Sequence, residues 1–196
     1  MTMTSIRWIA AVLLAATLAA VLSLGLAGSA HADPTVPSDT WNEIFAPFDN
    51  GHGNTMCVDV PGGSTSAGAP LQFFHCHGYA SDGGPQRWHL INGNGNAWPG
   101  VGLLYLIKNI GSHGCISVAG NPGTGGGRLV QEPCGQATFW ALHVQNANGT
   151  DPLFELIANG TNLCMAAGDT FDNNQTPLVA RTCDGFQDAA QVLQLG

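Results

Sequence analysis

Six cysteines organise this chain. They stand at Cys57, Cys76, Cys115, Cys134, Cys164 and Cys183, and each successive pair is separated by 19 residues. One spacing used three times, with no cysteine left over, marks an internal threefold repeat. Six cysteines allow 15 pairings. The repeat selects one of them: Cys57 with Cys76, Cys115 with Cys134, and Cys164 with Cys183. Each bridge would close a loop of about 20 residues and stabilise the fold by roughly 3 kcal/mol through loss of unfolded-chain entropy. The run His75-Cys76-His77 suggests a metal site at first sight. Consecutive strand residues point to opposite faces, however, and no CxxC or HxxxH partner exists, so zinc is not expected.

Oxidised cysteines need an oxidising compartment, and the N-terminus points to one. Arg7 is the only charge before Asp33, an apolar run follows it from Ile9 to Leu26, and Ala30-His31-Ala32 has the small-x-small form of a cleavage site. Residues 1–32 therefore read as a signal peptide of bacterial type, removed after Ala32, and the protein is expected to be secreted. The run is also long enough to span a bilayer as a retained anchor, which is the alternative. No cysteine follows it closely, so a lipid anchor is not expected.

The chain contains 27 Gly and 11 Pro, and only 9% of its residues are charged. Glycine at that density costs a helix about 1 kcal/mol per interior position relative to Ala, whereas short strands joined by turns accommodate it. The formal charge is −8; without Arg7, four Lys and Arg face 13 Asp and Glu, leaving −9. Such a chain lacks the basic footprint for nucleic acid or an anionic membrane surface, and no stable membrane insertion is expected once the leader is gone. Neutral ligands remain, sugars foremost.

Residues 33–40 (DPTVPSDT) form a short linker, and residues 41–196 hold the domain, in repeats of about 41–92, 93–145 and 146–196. Trp41–Phe48 predicts the opening strand, followed by a turn at Asp49-Asn50-Gly51. Met56, Val58 and Val60 alternate with Cys57 and Asp59 as in a strand. Leu71–Phe74 predicts the next strand, and Gly83-Gly84-Pro85 a turn into Gln86-Arg87-Trp88. The second copy opens at Leu103 and the third at Leu153; Tyr105 and Phe154 each lie ten residues before a cysteine. The glycine cluster Gly120–Gly127 precedes a predicted strand, Leu129–Gln131, rather than a helix, so it reads as a turn and not a phosphate cradle. A unit of this size cannot bury its apolar face alone, but three can around a shared axis.

Cys57-Val58-Asp59-Val60, Gly68, the strand Leu71 to Cys76, and Gln86-Arg87-Trp88 resemble the repeat signature of the ricin-B-type lectin family. That signature runs C-[LV]-D-V, a glycine turn, an apolar strand into the second cysteine, and Q-x-W. The resemblance covers essentially all of residues 41–196. It implies an all-β fold, the β-trefoil: twelve strands with pseudo-threefold symmetry, six forming a barrel and six capping it as hairpins. It further implies non-covalent binding of galactose- or xylose-type sugars, with no cofactor.

In that family a carboxylate two residues after the first cysteine and an aromatic ring two before the second hold the sugar. A Gln four before the second cysteine assists, and an Asn-Gln pair opens the last motif. A carboxylate or amide pairs with adjacent hydroxyls, and an aromatic face takes the C–H side of the sugar. Carried over, the carbohydrate-binding residues of the first copy are Asp59, Gln72, Phe74 and Gln86, with Pro85 in place of the Asn. In the second copy Ser117 replaces the Asp, Glu132 the aromatic and Thr138 the Gln; in the third Ala166 replaces the Asp, Arg181 the aromatic and Leu193 the Trp, while Gln191 persists. Both later sites read as degenerate. Trp88 and Trp140 read as core residues, and Gln86 has an alternative role as a partner of buried backbone groups.

The expected function is that of a secreted, non-enzymatic carbohydrate-binding protein with one partly preserved site. The alternative is a trefoil scaffold that engages a cell-envelope protein. No G-x-S-x-G elbow occurs, and the repeats leave no room for an attached hydrolase, so an enzyme is not expected.

Overall fold

The computed structural model describes residues 42–49, 55–77, 84–120, 127–145, 152–168 and 175–196. The expected leader and linker, Trp41, the Asn50-Gly51 turn, Gly83 and residues 121–126 of the glycine cluster lie outside them. The fold belongs to the unit Asp33–Gly196. Among the described residues no helix is long and apolar enough to cross a membrane.

Twelve strands occur among the described residues. In the first lobe they are β1 (Asn42–Asp49), β2 (Thr55–Asp59), β3 (Gln72–His75) and β4 (Arg87–Trp98). The second lobe holds β5 (Gly102–Asn109), β6 (Cys115–Val118), β7 (Leu129–Glu132) and β8 (Trp140–Val144). The third holds β9 (Phe154–Ala158), β10 (Leu163–Ala167), β11 (Thr176–Thr182) and β12 (Gln194–Leu195).

The antiparallel pairs β12–β1, β1–β4, β4–β5, β5–β8 and β8–β9 make five sides of a barrel. The sixth closes through Phe154 and Leu193, whose backbones exchange hydrogen bonds of 3.0 and 2.9 Å. Closure removes the open sheet edges that would otherwise invite aggregation. The other six strands form the hairpins β2–β3, β6–β7 and β10–β11. These join one another through β3–β11 and the bridges Pro70↔Val130 and Arg128↔Val179, so each hairpin touches the other two. This is the β-trefoil that the family resemblance implied.

The disulfides are Cys57–Cys76, Cys115–Cys134 and Cys164–Cys183, as the 19-residue period selects, with Cα–Cα separations of 5.0, 4.9 and 5.0 Å. Inside the barrel lie Ile44, Leu90, Ile107, Leu156, Phe154 and the two tryptophans, all essentially inaccessible. The Trp88 indole donates to the Val58 carbonyl at 2.9 Å, and Trp140 donates to the Ile116 carbonyl at 3.1 Å. Each acceptor is the residue after the first cysteine of its lobe, so each tryptophan locks a hairpin onto the barrel and meets the need of a buried indole for an acceptor.

Both faces of β2 are covered, since Met56 to Val60 are buried throughout. Met56, Val58 and Val60 face the core, while Cys57 is covered by its own disulfide and Asp59 by its neighbours.

Candidate functional site

Strand pairing assembles the site. Asp59 on β2 lies opposite Gln72 on β3, and Cys57 lies opposite Phe74. Residues two apart in a strand share a face, so Gln72 and Phe74 project to one side, with Asp59 beside them. Gln72 Nε2 donates to Asp59 Oδ2 at 2.8 Å. After β2 the chain makes a 3-10 turn at Pro61–Gly63, with Gly62 at φ +61° and Gly63 at φ +63°, values that residues with a Cβ rarely adopt. The turn forms one rim. Val60 N–H donates to the Pro85 carbonyl at 3.1 Å and draws Pro85 against that rim.

The result is a cleft of about 450 Å³ lined in part by Asp59, Gln72, Phe74, His77, Pro85 and Gln175. Its size falls in the range of small-molecule sites. Phe74 is half-buried and forms a ring cluster with His75 and His77, at centroid distances of 4.3 and 5.5 Å. The His77 ring stands edge-on to Phe74, at 79°.

Asp59 is only 5% exposed. Burial raises its pKa above the ordinary 3.8, and hydrogen bonds from Gln72 and Gln86, then the charges of His77 and His75, work in the opposite direction. The cleft thus presents an acceptor carboxylate, an amide and an aromatic ring on one wall. Asp59 is the one carboxylate among the described residues lining it, and the paired carboxylates of glycoside hydrolysis are not assembled there.

Of the four sequence-predicted residues, Asp59, Gln72 and Phe74 line the cleft together. Gln86 does not. It is fully buried; its Oε1 accepts from His77 N–H at 2.9 Å and its Nε2 donates to the His75 carbonyl at 3.0 Å. Gln86 therefore ties the backbone on either side of Cys76 and sets where His77 sits. Sequence reasoning missed two lining residues, His77 and Gln175. His77 carried a signal, standing directly after the second cysteine; Gln175 belongs to the third lobe and carried none.

The other two lobes differ at the matching positions. Ser117 is buried, its Oγ lies 3.1 Å from Thr138 Oγ1, and Thr138 N–H donates back to Ser117 Oγ at 3.2 Å. The hydroxyls there satisfy each other. Glu132 lines a smaller cleft of about 190 Å³ with Ser66 and His113. In the third lobe the Arg181 guanidinium donates to the Gly168 carbonyl and lies 4.0 Å from Asp188. Ala166 offers no polar group.

Among the described residues the one grouping with metal-ligand geometry is Glu43 with Cys57 and Cys76. Both sulfurs are in a disulfide, so neither is a thiolate and the group does not suit a metal.

Comparison with known proteins agrees with this architecture. A family model described as ricin-type β-trefoil lectin domain-like matches residues 84–181. That span begins at the end of the first lobe and leaves out Asp59, Gln72 and Phe74. No curated protein matches the sequence. Among solved structures, a designed threefold-symmetric protein, ThreeFoil, is 20% identical with a TM-score of 0.60, over 79% of this chain and 96% of that one. A ricin B-like lectin of Macrolepiota procera in complex with lactose is 18% identical with a TM-score of 0.53, over 81% of this chain and 95% of that one. An exo-β-1,3-galactanase of Clostridium thermocellum is 16% identical with a TM-score of 0.60, over 81% of this chain but only 30% of that one. At such identities these likenesses establish the fold.

Proposed function

This chain belongs to the ricin-type β-trefoil lectin domain-like family, and we propose that it is a secreted, non-enzymatic carbohydrate-binding protein with one working site, in the first lobe. The observation that carries this reading is the Asp59–Gln72 pair beside Phe74 in an open cleft. A carboxylate and an amide on one wall pair with adjacent sugar hydroxyls, and the neighbouring ring offers an apolar face for the C–H side. Pro85 provides no N–H where the family has an Asn, so His77 takes over part of the polar work from the same rim. Galactose- and xylose-type sugars are the leading ligands; the Macrolepiota procera lectin was solved with lactose. A single site of this kind gives affinity on the order of millimolar, about 4 kcal/mol.

A second reading rests on the other two lobes. The mutually satisfied Ser117–Thr138 pair and the Arg181–Gly168 bond leave neither lobe a free acid–aromatic pair. A trefoil whose second and third lobes lack that pair serves as a scaffold for a cell-envelope protein.

A chemical-shift titration of the oxidised protein with galactose, xylose, arabinose and mannose and their oligosaccharides separates the two. Under the lectin reading, shifts cluster on Asp59, Gln72, Phe74 and His77 and vanish in Asp59→Ala. Absence of shifts at tens of millimolar sugar rejects that reading and leaves the scaffold.

A further inference from the structure

The cleft is not the property of one lobe. We propose that Gln175, carried by the third lobe, holds the second ring of a neutral disaccharide whose first ring stacks on Phe74. The inference rests on the carbohydrate reading of the same cleft and extends it.

Strand order places Gln175. β3 pairs with β2 on one side and with β11 on the other, where Phe73 lies opposite Thr176 and Gln72 opposite Pro177. Gln175 leads into β11, and its N–H donates to the Phe73 carbonyl at 3.1 Å. The backbone of Gln175 is thereby fastened to the strand that carries Gln72 and Phe74. Thr176, next in sequence, is 2% exposed and anchors the position from the other side. Gln175 itself is exposed and lines the cleft.

Its backbone is held at φ +82°, a conformation that a residue with a Cβ adopts only under constraint. Here the constraint aligns an amide with the cleft. Asp59 and Gln175 stand on opposite flanks of β3, and two strand spacings amount to about 9.6 Å. That separation exceeds the width of one pyranose ring, so groups at the two flanks address two rings rather than one. An amide supplies both a donor and an acceptor, the complement of adjacent sugar hydroxyls, and being uncharged it suits a neutral ring. Pro85 weakens the polar hold on the first ring, and the Gln175 amide makes up for it on the second.

Calorimetric titration of the oxidised protein with galactose against lactose, and with xylose against xylobiose, tests this. Wild type is expected to prefer the disaccharide of one pair. Gln175→Gly relaxes the φ +82° backbone, so the variant folds while the amide is lost. It is expected to weaken disaccharide binding roughly five- to tenfold and to leave the monosaccharide unchanged. Gln175→Asn, which keeps a shorter amide and tolerates the same φ, is expected to fall between. Equal loss for both sugars, or no loss for either, overturns the role of Gln175. If Asp59→Ala abolishes binding while Gln175→Gly has no effect, the first-lobe site stands and this inference falls alone. Absence of binding by the wild type to all four sugars removes both.

Discussion

The first and third lobes carry the same buried glutamine but not the same site. Gln86 ties the His75 carbonyl and the His77 N–H, which flank Cys76. Gln191 ties the Thr182 carbonyl, at 2.9 Å, and the Asp184 N–H, at 3.3 Å, which flank Cys183. The two side chains make one bond pattern in two lobes. Yet Gln86 stands beside Asp59, whereas the third lobe has Ala166 at the acid's position. A residue kept in the same geometry after the acid is gone answers to the backbone first. The glutamine is a brace for the hairpin end, and its effect on Asp59 comes second. The acid itself has no counterpart in the other lobes, so the proposed sugar site turns on Asp59 rather than on the Q-x-W motif.

The largest test of this comparison is aimed at the shared framework. Trp88→Ala and Trp140→Ala each remove a buried indole and its bond to a hairpin carbonyl. Each is expected to cost about 3–5 kcal/mol in denaturant unfolding, and by similar amounts. A much smaller loss at Trp140 would show that the second lobe is not held as the first is.

A smaller effect separates brace from ligand. Gln86→Ala and Gln191→Ala are both expected to cost about 1–2 kcal/mol, because each removes a buried amide and two part-buried hydrogen bonds to backbone. Only Gln86→Ala is expected to lower sugar affinity as well, since it releases His77. A neutral Gln191→Ala would mean that the brace matters only where an acid stands next to it.

The smallest effect is in the pH dependence. Burial raises the pKa of Asp59 above 3.8 and that of Glu43 above 4.5, with Arg87 and then His77 opposing the shift at Glu43. The native state therefore binds these protons more tightly than the unfolded chain does. Their stabilising contribution is complete below those ordinary values and is lost as pH rises through the raised native ones. Both groups belong to the first lobe. Wild type is expected to lose this contribution as pH rises from below 3.8 through the raised native values. Asp59→Asn and Glu43→Gln should each flatten the slope of unfolding free energy against pH, whereas Ser117→Ala in the second lobe should not.

Much of the site was legible because it is built from short-range pairing. Asp59 and Gln72 are 13 residues apart on the two arms of one hairpin, and the disulfide between Cys57 and Cys76 holds their register. The family resemblance, carried over by position relative to the cysteines, therefore named Asp59, Gln72 and Phe74 together, and the hairpin brings them to one place. Gln86 was legible as a motif but not as a role, since a glutamine that braces backbone and one that braces a carboxylate have the same spacing. The burial of Cys57 and Asp59 was hidden for a similar reason: strand alternation states which residues share a face, not what covers that face.

By itself the sequence determined the period, the disulfides, the three lobes and the hairpin that carries the acid, because each depends on residues joined by one short loop. Only the tertiary structure decided who else lines the cleft. Gln175 enters because β11 of the third lobe pairs with β3 of the first. That contact arises from closure of three hairpins on one another around a common axis. Such closure is a property of the whole assembly, and nothing in the neighbourhood of Gln175 along the chain records it.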